Sequence, residues 1–205
     1  MSRLEASKWL KHLQSVLAGG NLCTQVVAVQ RKTVLVHCSD GWDRTAQVCA
    51  LAQMCIDPYF RTLEGFAVLI EKDWCSFGFQ FERRCGQGVP FNDQQSPIFL
   101  QFLDCVFQVM SQFPAAFQFT PALLDELAMH SYSGRFGTFL YDNERKRLQA
   151  DVEARTVSMW AYVEERGSAL MNPAFAPAED LLVPLVGLRQ LRVWPYYYRH
   201  IPAMR

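Results

Sequence analysis

Apolar residues recur along most of this chain with the spacing of one face of an α-helix. Trp9, Leu10, Leu13, Val16 and Leu17 form the first such stripe, within a helix from Ser2, and Gly19–Gly20 predicts its stop. Val48, Leu51, Ala52 and Cys55 repeat at i, i+3, i+4 and i+7, which predicts a helix to about Ile56, ended by Asp57–Pro58. Thr62 is placed to cap a third, with Phe66, Leu69, Ile70, Trp74 and Phe77 on its buried side. Ser96–Pro97 and Thr120–Pro121 each pair a good N-cap with proline at the first helical position. They open stripes through Phe99, Phe102, Leu103, Val106, Val109, Met110 and Phe113, and through Leu123, Leu124 and Leu127. Thr156 starts another through Trp160 and Val163, after which Pro173, Pro177 and Pro184 break the chain.

Some segments depart from this spacing. Val34, Leu35 and Val36 form a continuous apolar run of the kind a buried strand uses. Asn21 to Lys32 is ambiguous, because Val26, Val27 and Val29 suit either a strand or more helix. Cys85 to Gln95 is rich in Gly, Asn, Gln and Pro and reads as a loop. Phe136 to Tyr141 is apolar, and Asp142 to Arg155 is a charged, solvated stretch. Leu188 to Arg199 holds Trp194 and three consecutive tyrosines, a tail packed on the domain rather than a membrane contact. His130, near the end of its helix, reads as structural.

The switch from strand pattern to helix pattern brackets the chemistry. Cys38 to Arg44 lies at that turn, where backbone N–H groups and the positive end of the following helix can hold a phosphate. Gly41 lets the loop close tightly. The same field favours thiolate over thiol at Cys38, lowering its pKa below the free value of ~8.5. Arg44 offers a planar fork for two phosphate oxygens. Asp43 is placed to protonate a leaving alkoxide, and Thr45 and His37 to hydrogen-bond around the sulfur. A lone cysteine before an arginine is commonly accidental, and a buried one inert. Here the strand, the glycine and the helix agree on a phosphate-handling Cys-x5-Arg loop. The other six cysteines lack such surroundings and read as packing.

Composition narrows the setting. A chain of 205 residues, half of them hydrophobic, can form one domain with a sizeable core. Twenty basic residues balance twenty acidic ones, so no overall field favours nucleic acid or a membrane surface, and phosphate recognition must be local. Seven cysteines without a Cys-x2-Cys pair, with only four histidines, suggest neither a disulfide framework nor a zinc site, and a reducing cytosol fits them. No apolar run reaches the roughly 20 residues needed to cross a bilayer, and the polar start is not a signal peptide. Lipid contact would be peripheral.

The string His37-Cys38-Ser39-Asp40-Gly41-Trp42-Asp43-Arg44-Thr45-Ala46-Gln47 resembles the active-site signature of the myotubularin family of phosphoinositide 3-phosphatases. The resemblance continues through Tyr59–Thr62, Gly65-Phe66, Leu69–Trp74, Ser76–Gly78, Ser96-Pro97, Phe113-Pro114, Phe136–Leu140 and Asn172-Pro173, and covers about Ala6 to Arg199. It implies an α/β, protein tyrosine phosphatase-like fold, here a helix-rich portion with an active-site strand-loop-helix and an incomplete sheet. It favours more helix in Asn21 to Lys32. The implied reaction removes the 3-phosphate of phosphatidylinositol 3-phosphate, and of the 3,5-bisphosphate, through a phosphocysteine. Cys38, Asp43 and Arg44 are then the catalytic residues, and Ser39, Asp40, Gly41, Trp42 and Arg84 contact substrate; Asp40 and Trp42 select inositol over phosphotyrosine. No cofactor or metal is needed. The implied partners are the phosphoinositide head group, a peripheral contact with endosomal membranes from the cytoplasm, and oligomers with itself or other myotubularins.

The sequence departs from the family where Phe79 and Gln80 replace a histidine and a basic residue. Gln80 cannot pair with charge, so preference for a doubly phosphorylated head group is expected to weaken, whereas Arg84 matches a second head-group arginine. Arg83 reads as a solvated surface residue. Only thirty-six residues precede His37, and they offer at most one further strand. Residues 1–205 are therefore expected to be a partial phosphatase domain without the PH-GRAM domain or the sheet, with poor solubility from unpaired strand edges. A tyrosine or dual-specificity phosphatase shares the loop chemistry. An inactive regulatory partner is the other alternative, against which stand Cys38, Asp43 and Arg44 themselves.

Overall fold

Two helices laid closely together carry the loop. In the computed structural model, which describes residues 6–88, 90–177 and 179–197, helix α1 spans Trp9–Thr24 and helix α2 spans Arg44–Ile56. Gly19 and Gly20 do not stop α1. They face α2, where a Cβ at either would stand 3.2 Å from Val48 or Leu51. Their smallness serves helix contact here, and the stop falls ten residues later. The helix widens into a π turn over Gln25–Val29 and ends where Arg31 takes a left-handed φ of 56° and Lys32 N–H donates to the Val26 carbonyl at 3.0 Å. The helical reading of Asn21 to Lys32 therefore holds up to Val29. Ser2 to Glu5, the proposed start of the helix, lie outside the described residues.

The strand expected at Val34–Val36 is not formed. Residues 32–38 have no regular structure, and Leu35 is 87% exposed. A strand is held by a partner's backbone, and the described residues offer none: they form no sheet, only an isolated bridge between Phe119 and Met171. Helix α2 ends at Ile56 as its pattern predicts, and Asp57 caps the 3-10 turn Pro58–Arg61 by accepting from Tyr59 N–H.

Thr62 caps α3, Leu63–Ile70, accepting from Gly65 N–H. A second π segment, Glu71–Ser76, continues it. The i→i+5 bonding shifts the phase of the stripe, so Phe66, Leu69, Ile70 and Trp74 are buried as predicted while Phe77 emerges at 71% exposure. Short α4, Phe81–Cys85, leads through a loop to α5, Ile98–Gln112. Pro97 sits at the N-cap of α5 with no side-chain cap, one residue later than Ser96–Pro97 suggests. This helix runs through the core with Phe99, Phe102, Leu103, Val106, Val109 and Met110 buried.

Helix α6, Pro121–Ser133, opens on Thr120 with proline in its first turn, as predicted, and buries Leu123, Leu124 and Leu127. His130 is buried in it, its Nδ1 3.2 Å from Ser133 Oγ and its ring edge-on to Phe136, a structural placement. Gly137–Phe139 form a buried 3-10 turn, and the charged stretch forms α7, Glu144–Gln149, and α8, Val152–Arg155. That stretch is not wholly solvated: Arg147 donates to the carbonyls of Gly137, Thr138 and Leu140. Helix α9, Met159–Glu165, starts from Ser158, because Thr156 Oγ is already donated back to the Val152 carbonyl. A last short helix, α10, covers Gly167–Leu170.

The tail packs inward, as expected. Trp194 is buried, Trp9 and Tyr197 meet edge-on at 5.9 Å, and buried Asp104 accepts from Trp9 Nε1 at 2.8 Å and Tyr197 OH at 2.7 Å. Tyr198 and Arg199 lie outside the described residues. No helix among those described is long and apolar enough to cross a membrane.

Candidate active site

The loop from Cys38 is closed by its own backbone onto the start of α2. Gly41 adopts a φ of 92°, a conformation costly for any side-chain-bearing residue, and its N–H points at Cys38 Sγ from 3.2 Å. Asp43 is the N-cap residue of α2 and Arg44 its first residue. A thirteen-residue helix therefore directs its positive end toward the loop. Its setting is fixed from behind by buried Gln47, whose amide donates to the Ile98 carbonyl at 2.8 Å and to Gln101 Oε1 at 3.3 Å.

Cys38 differs from every other thiol in the chain. All seven cysteines are free. Partial burial pushes the Cys38 thiol up, but the side-chain hydroxyl and N–H of Thr45 and the N–H groups of Gly41 and Asp40 outweigh that effect and bring it to about 6. Thr45 Oγ is buried and makes no hydrogen bond to any other group. The other six thiols are pushed up, burial being the leading cause in each; Cys55 and Cys85 reach about 12. His37 is exposed and contributes no hydrogen bond to Cys38.

The remaining residues of the loop fall into two groups. Ser39, Asp40 and Arg44 form an exposed chain: Arg44 Nη2 donates to Ser39 Oγ at 3.1 Å, and Ser39 Oγ donates to Asp40 Oδ2 at 3.2 Å. Asp43 turns the other way. Arg84, from α4, takes both its oxygens, with Nη2 2.7 Å from Oδ2 and Nε 3.2 Å from Oδ1, in a pair largely shielded from solvent. Trp42 is half-buried, with its indole nitrogen buried and unpartnered.

Cys38, Asp43, Arg44 and Arg84 are thus brought into one neighbourhood, while Arg83 is exposed. Phe79 is buried in the aromatic cluster, 4.9 Å from the Trp74 ring and 4.8 Å from that of Phe81, so it serves packing. Gln80 Oε1 is buried and unpartnered. Two participants were invisible in the sequence. Gln47 belongs to the motif but gave no sign of its contact with α5, and the Gln94 carbonyl, which accepts from Arg84 Nη1 at 2.8 Å, has no side-chain signature at all. A cleft of about 400 Å³ between Glu71 and the α7–α8 region, lined by Arg147, Asp151 and Thr156, contains no residue of this loop.

A protein-family comparison matches residues 1–148 to the myotubularin-like phosphatase domain. Among curated relatives, the phosphatidylinositol-3,5-bisphosphate 3-phosphatase MTMR4 of Homo sapiens is 43% identical over 206 residues, which take in 99% of this chain and 17% of that protein. The phosphatidylinositol-3,5-bisphosphate 3-phosphatase mtm-1 of Caenorhabditis elegans is 46% identical over 200 residues, 95% of this chain and 34% of that protein. Myotubularin of Xenopus laevis is 43% identical over 209 residues, 100% of this chain and 35% of that protein. The chain therefore spans 17% to 35% of the length of these relatives.

Proposed function

The chain belongs to the family of myotubularin-like phosphatase domains, and on that premise we propose that its Cys38 loop hydrolyses the 3-phosphate of a phosphoinositide head group. The observation that carries the proposal is the thiol held at about 6 by Thr45, Gly41 and Asp40, in a chain where every other thiol is pushed up by burial. At neutral pH such a sulfur is a thiolate and a nucleophile.

In the proposed reaction Cys38 Sγ attacks phosphorus in line. The S–P bond forms as the bond from phosphorus to the inositol oxygen breaks. Arg44 leaves Ser39 to grip two equatorial oxygens, and loop N–H groups hold the third. Asp43 gives its proton to the departing oxygen. Before substrate arrives, Arg84 engages that carboxylate. A phosphate on the substrate competes for the same guanidinium; the carboxylate so released takes up a proton from solvent, and this is the proton it gives to the departing oxygen. Water then attacks phosphocysteine, Asp43 recovers a proton from it, and inorganic phosphate leaves as Cys38 is restored.

The proposed substrate is phosphatidylinositol 3-phosphate. With uncharged Gln80 in place of a basic residue, a second phosphate gains less than in relatives named for the 3,5-bisphosphate. Ser39, Asp40, Gly41 and Trp42 line the pocket, and the head group is met at a membrane surface from the cytoplasmic side. Phosphate release from vesicles containing phosphatidylinositol 3-phosphate tests the reading, against Cys38→Ser and against a phosphotyrosine peptide. Release by the unmodified chain alone, and from lipid over peptide, is expected. Equal rates for chain and variant would remove the catalytic role, and faster release from the peptide would favour a tyrosine phosphatase.

A further inference from the structure

The most exposed aromatic ring among the described residues sits on a loop that is rooted in the candidate site. Phe91 is 86% exposed. Its loop leaves the fold at Arg84, the residue that holds Asp43, and returns at Ser96, whose N–H donates to the Arg84 carbonyl at 3.0 Å. The side chain of Arg84 binds the returning limb as well, through the Gln94 carbonyl at 2.8 Å. Inside the loop, Gln95 Nε2 donates to the Pro90 carbonyl at 3.3 Å and Gln94 N–H to Asn92 Oδ1 at 2.9 Å. These bonds make it a compact surface loop closed at its base. A ring held out to water on such a support loses little conformational freedom when it is buried elsewhere.

The loop's composition points to what buries the ring. Between Gly86 and Ser96 the only charged residue is Asp93, and Phe91 follows Pro90. Apart from Asp93 the loop offers no charge to a partner, whereas a bilayer interface takes an aromatic ring by its apolar area alone. The loop and the site share Arg84, so the root of the Phe91 loop lies beside the site.

We propose that Phe91 is an interfacial anchor that enters the lipid surface and sets the Cys38 loop at head-group depth. This rests on the phosphoinositide reading above, because a site for a lipid head group must work at the membrane plane. The expected contribution of one inserted phenyl ring is roughly tenfold in membrane affinity.

The full chain, Phe91→Ala and Phe91→Trp are compared on two substrates and one binding assay. The substrates are phosphatidylinositol 3-phosphate in phosphatidylcholine vesicles, and a short-chain, water-soluble form of the same lipid kept below its micelle concentration. Phe91→Ala is expected to be roughly tenfold slower on vesicles and unchanged on the soluble form, with Phe91→Trp restoring the vesicle rate. In the binding assay, brominated phosphatidylcholine vesicles without phosphoinositide should quench Phe91→Trp emission beyond the quenching of the unmodified chain. Equal losses on both substrates would make Phe91 part of the pocket and overturn the anchor. So would unchanged vesicle turnover, or no added quenching, the result expected if the ring instead meets a protein. Absence of turnover on either substrate by the unmodified chain would sink the phosphatase reading, and quenching alone would then decide the anchor.

Discussion

Arg84 holds both carboxylate oxygens of Asp43 across 41 residues of sequence, at 2.7 and 3.2 Å. The two residues belong to different elements, the start of α2 and short α4, so the pair joins the loop to the rest of the fold. It also ties the loop's acid to the arginine that anchors the Phe91 loop through Gln94. A planar, two-pronged contact of this kind fixes direction as well as distance.

Arg84→Ala should therefore loosen Asp43 and the Gln94 limb together. A loss of about 2 kcal/mol in folding stability is expected from the unpaired, partly buried carboxylate, together with a drop in kcat on phosphatidylinositol 3-phosphate of roughly tenfold or more. Arg84→Lys keeps the charge without the fork and should fall between the two. Urea unfolding and steady-state kinetics measure both effects. Activity within twofold of the unmodified chain for Arg84→Ala would show that Arg84 neither positions Asp43 nor meets a substrate phosphate.

Cys38 should react as a thiolate across the neutral range. Its pKa of about 6 means that alkylation by iodoacetamide is near its plateau at pH 7 and falls as pH drops through 6, where the sulfur takes up its proton. Thr45→Val removes the hydroxyl that favours the thiolate, so the midpoint should move upward and reactivity at neutral pH should decline. The other thiols, all pushed the opposite way, stay silent in this window. Rate against pH, followed by mass spectrometry of the Cys38 peptide, reads the shift. A midpoint that stays in place in Thr45→Val would take the hydroxyl out of the account.

Gln80 marks a position where a positive charge can be introduced. Gln80→Arg should raise turnover of phosphatidylinositol 3,5-bisphosphate relative to the 3-phosphate by several-fold, on the order of one charge-assisted contact. The ratio of the two kcat/KM values, measured in vesicles of equal composition, is the readout. An unmodified chain that already strongly prefers the bisphosphate would refute the role given to Gln80.

Gly65 has no room for a methyl group. A Cβ there would overlap the carbonyl oxygen of Tyr59, which is backbone and cannot rotate away. Gly65→Ala should cost about 3 kcal/mol despite the better helix propensity of alanine. A thermal melt within a degree of the unmodified chain would show that the 3-10 turn yields more easily than its geometry allows.

Sequence alone determined the helices with long apolar stripes, because a 3.6-residue period commits a segment wherever its partner lies. Helix α2 from the loop to Ile56 was legible in this way, the Thr62 cap from its side chain, and the burial of Trp194 from the aromatic content of its tail. So was the make-up of the proposed site, since Cys38, Gly41, Asp43 and Arg44 lie in one short stretch of chain. Tertiary structure decided the rest. Gly19 and Gly20 read locally as a stop, yet packing against Val48 and Leu51 makes them a contact. Val34–Val36 read as a strand, but a strand exists only with a partner backbone, and none is present among the described residues. The Asp43–Arg84 pair lay beyond any local pattern, because ion pairs between distant elements carry no spacing in sequence and appear only when the fold brings their ends together.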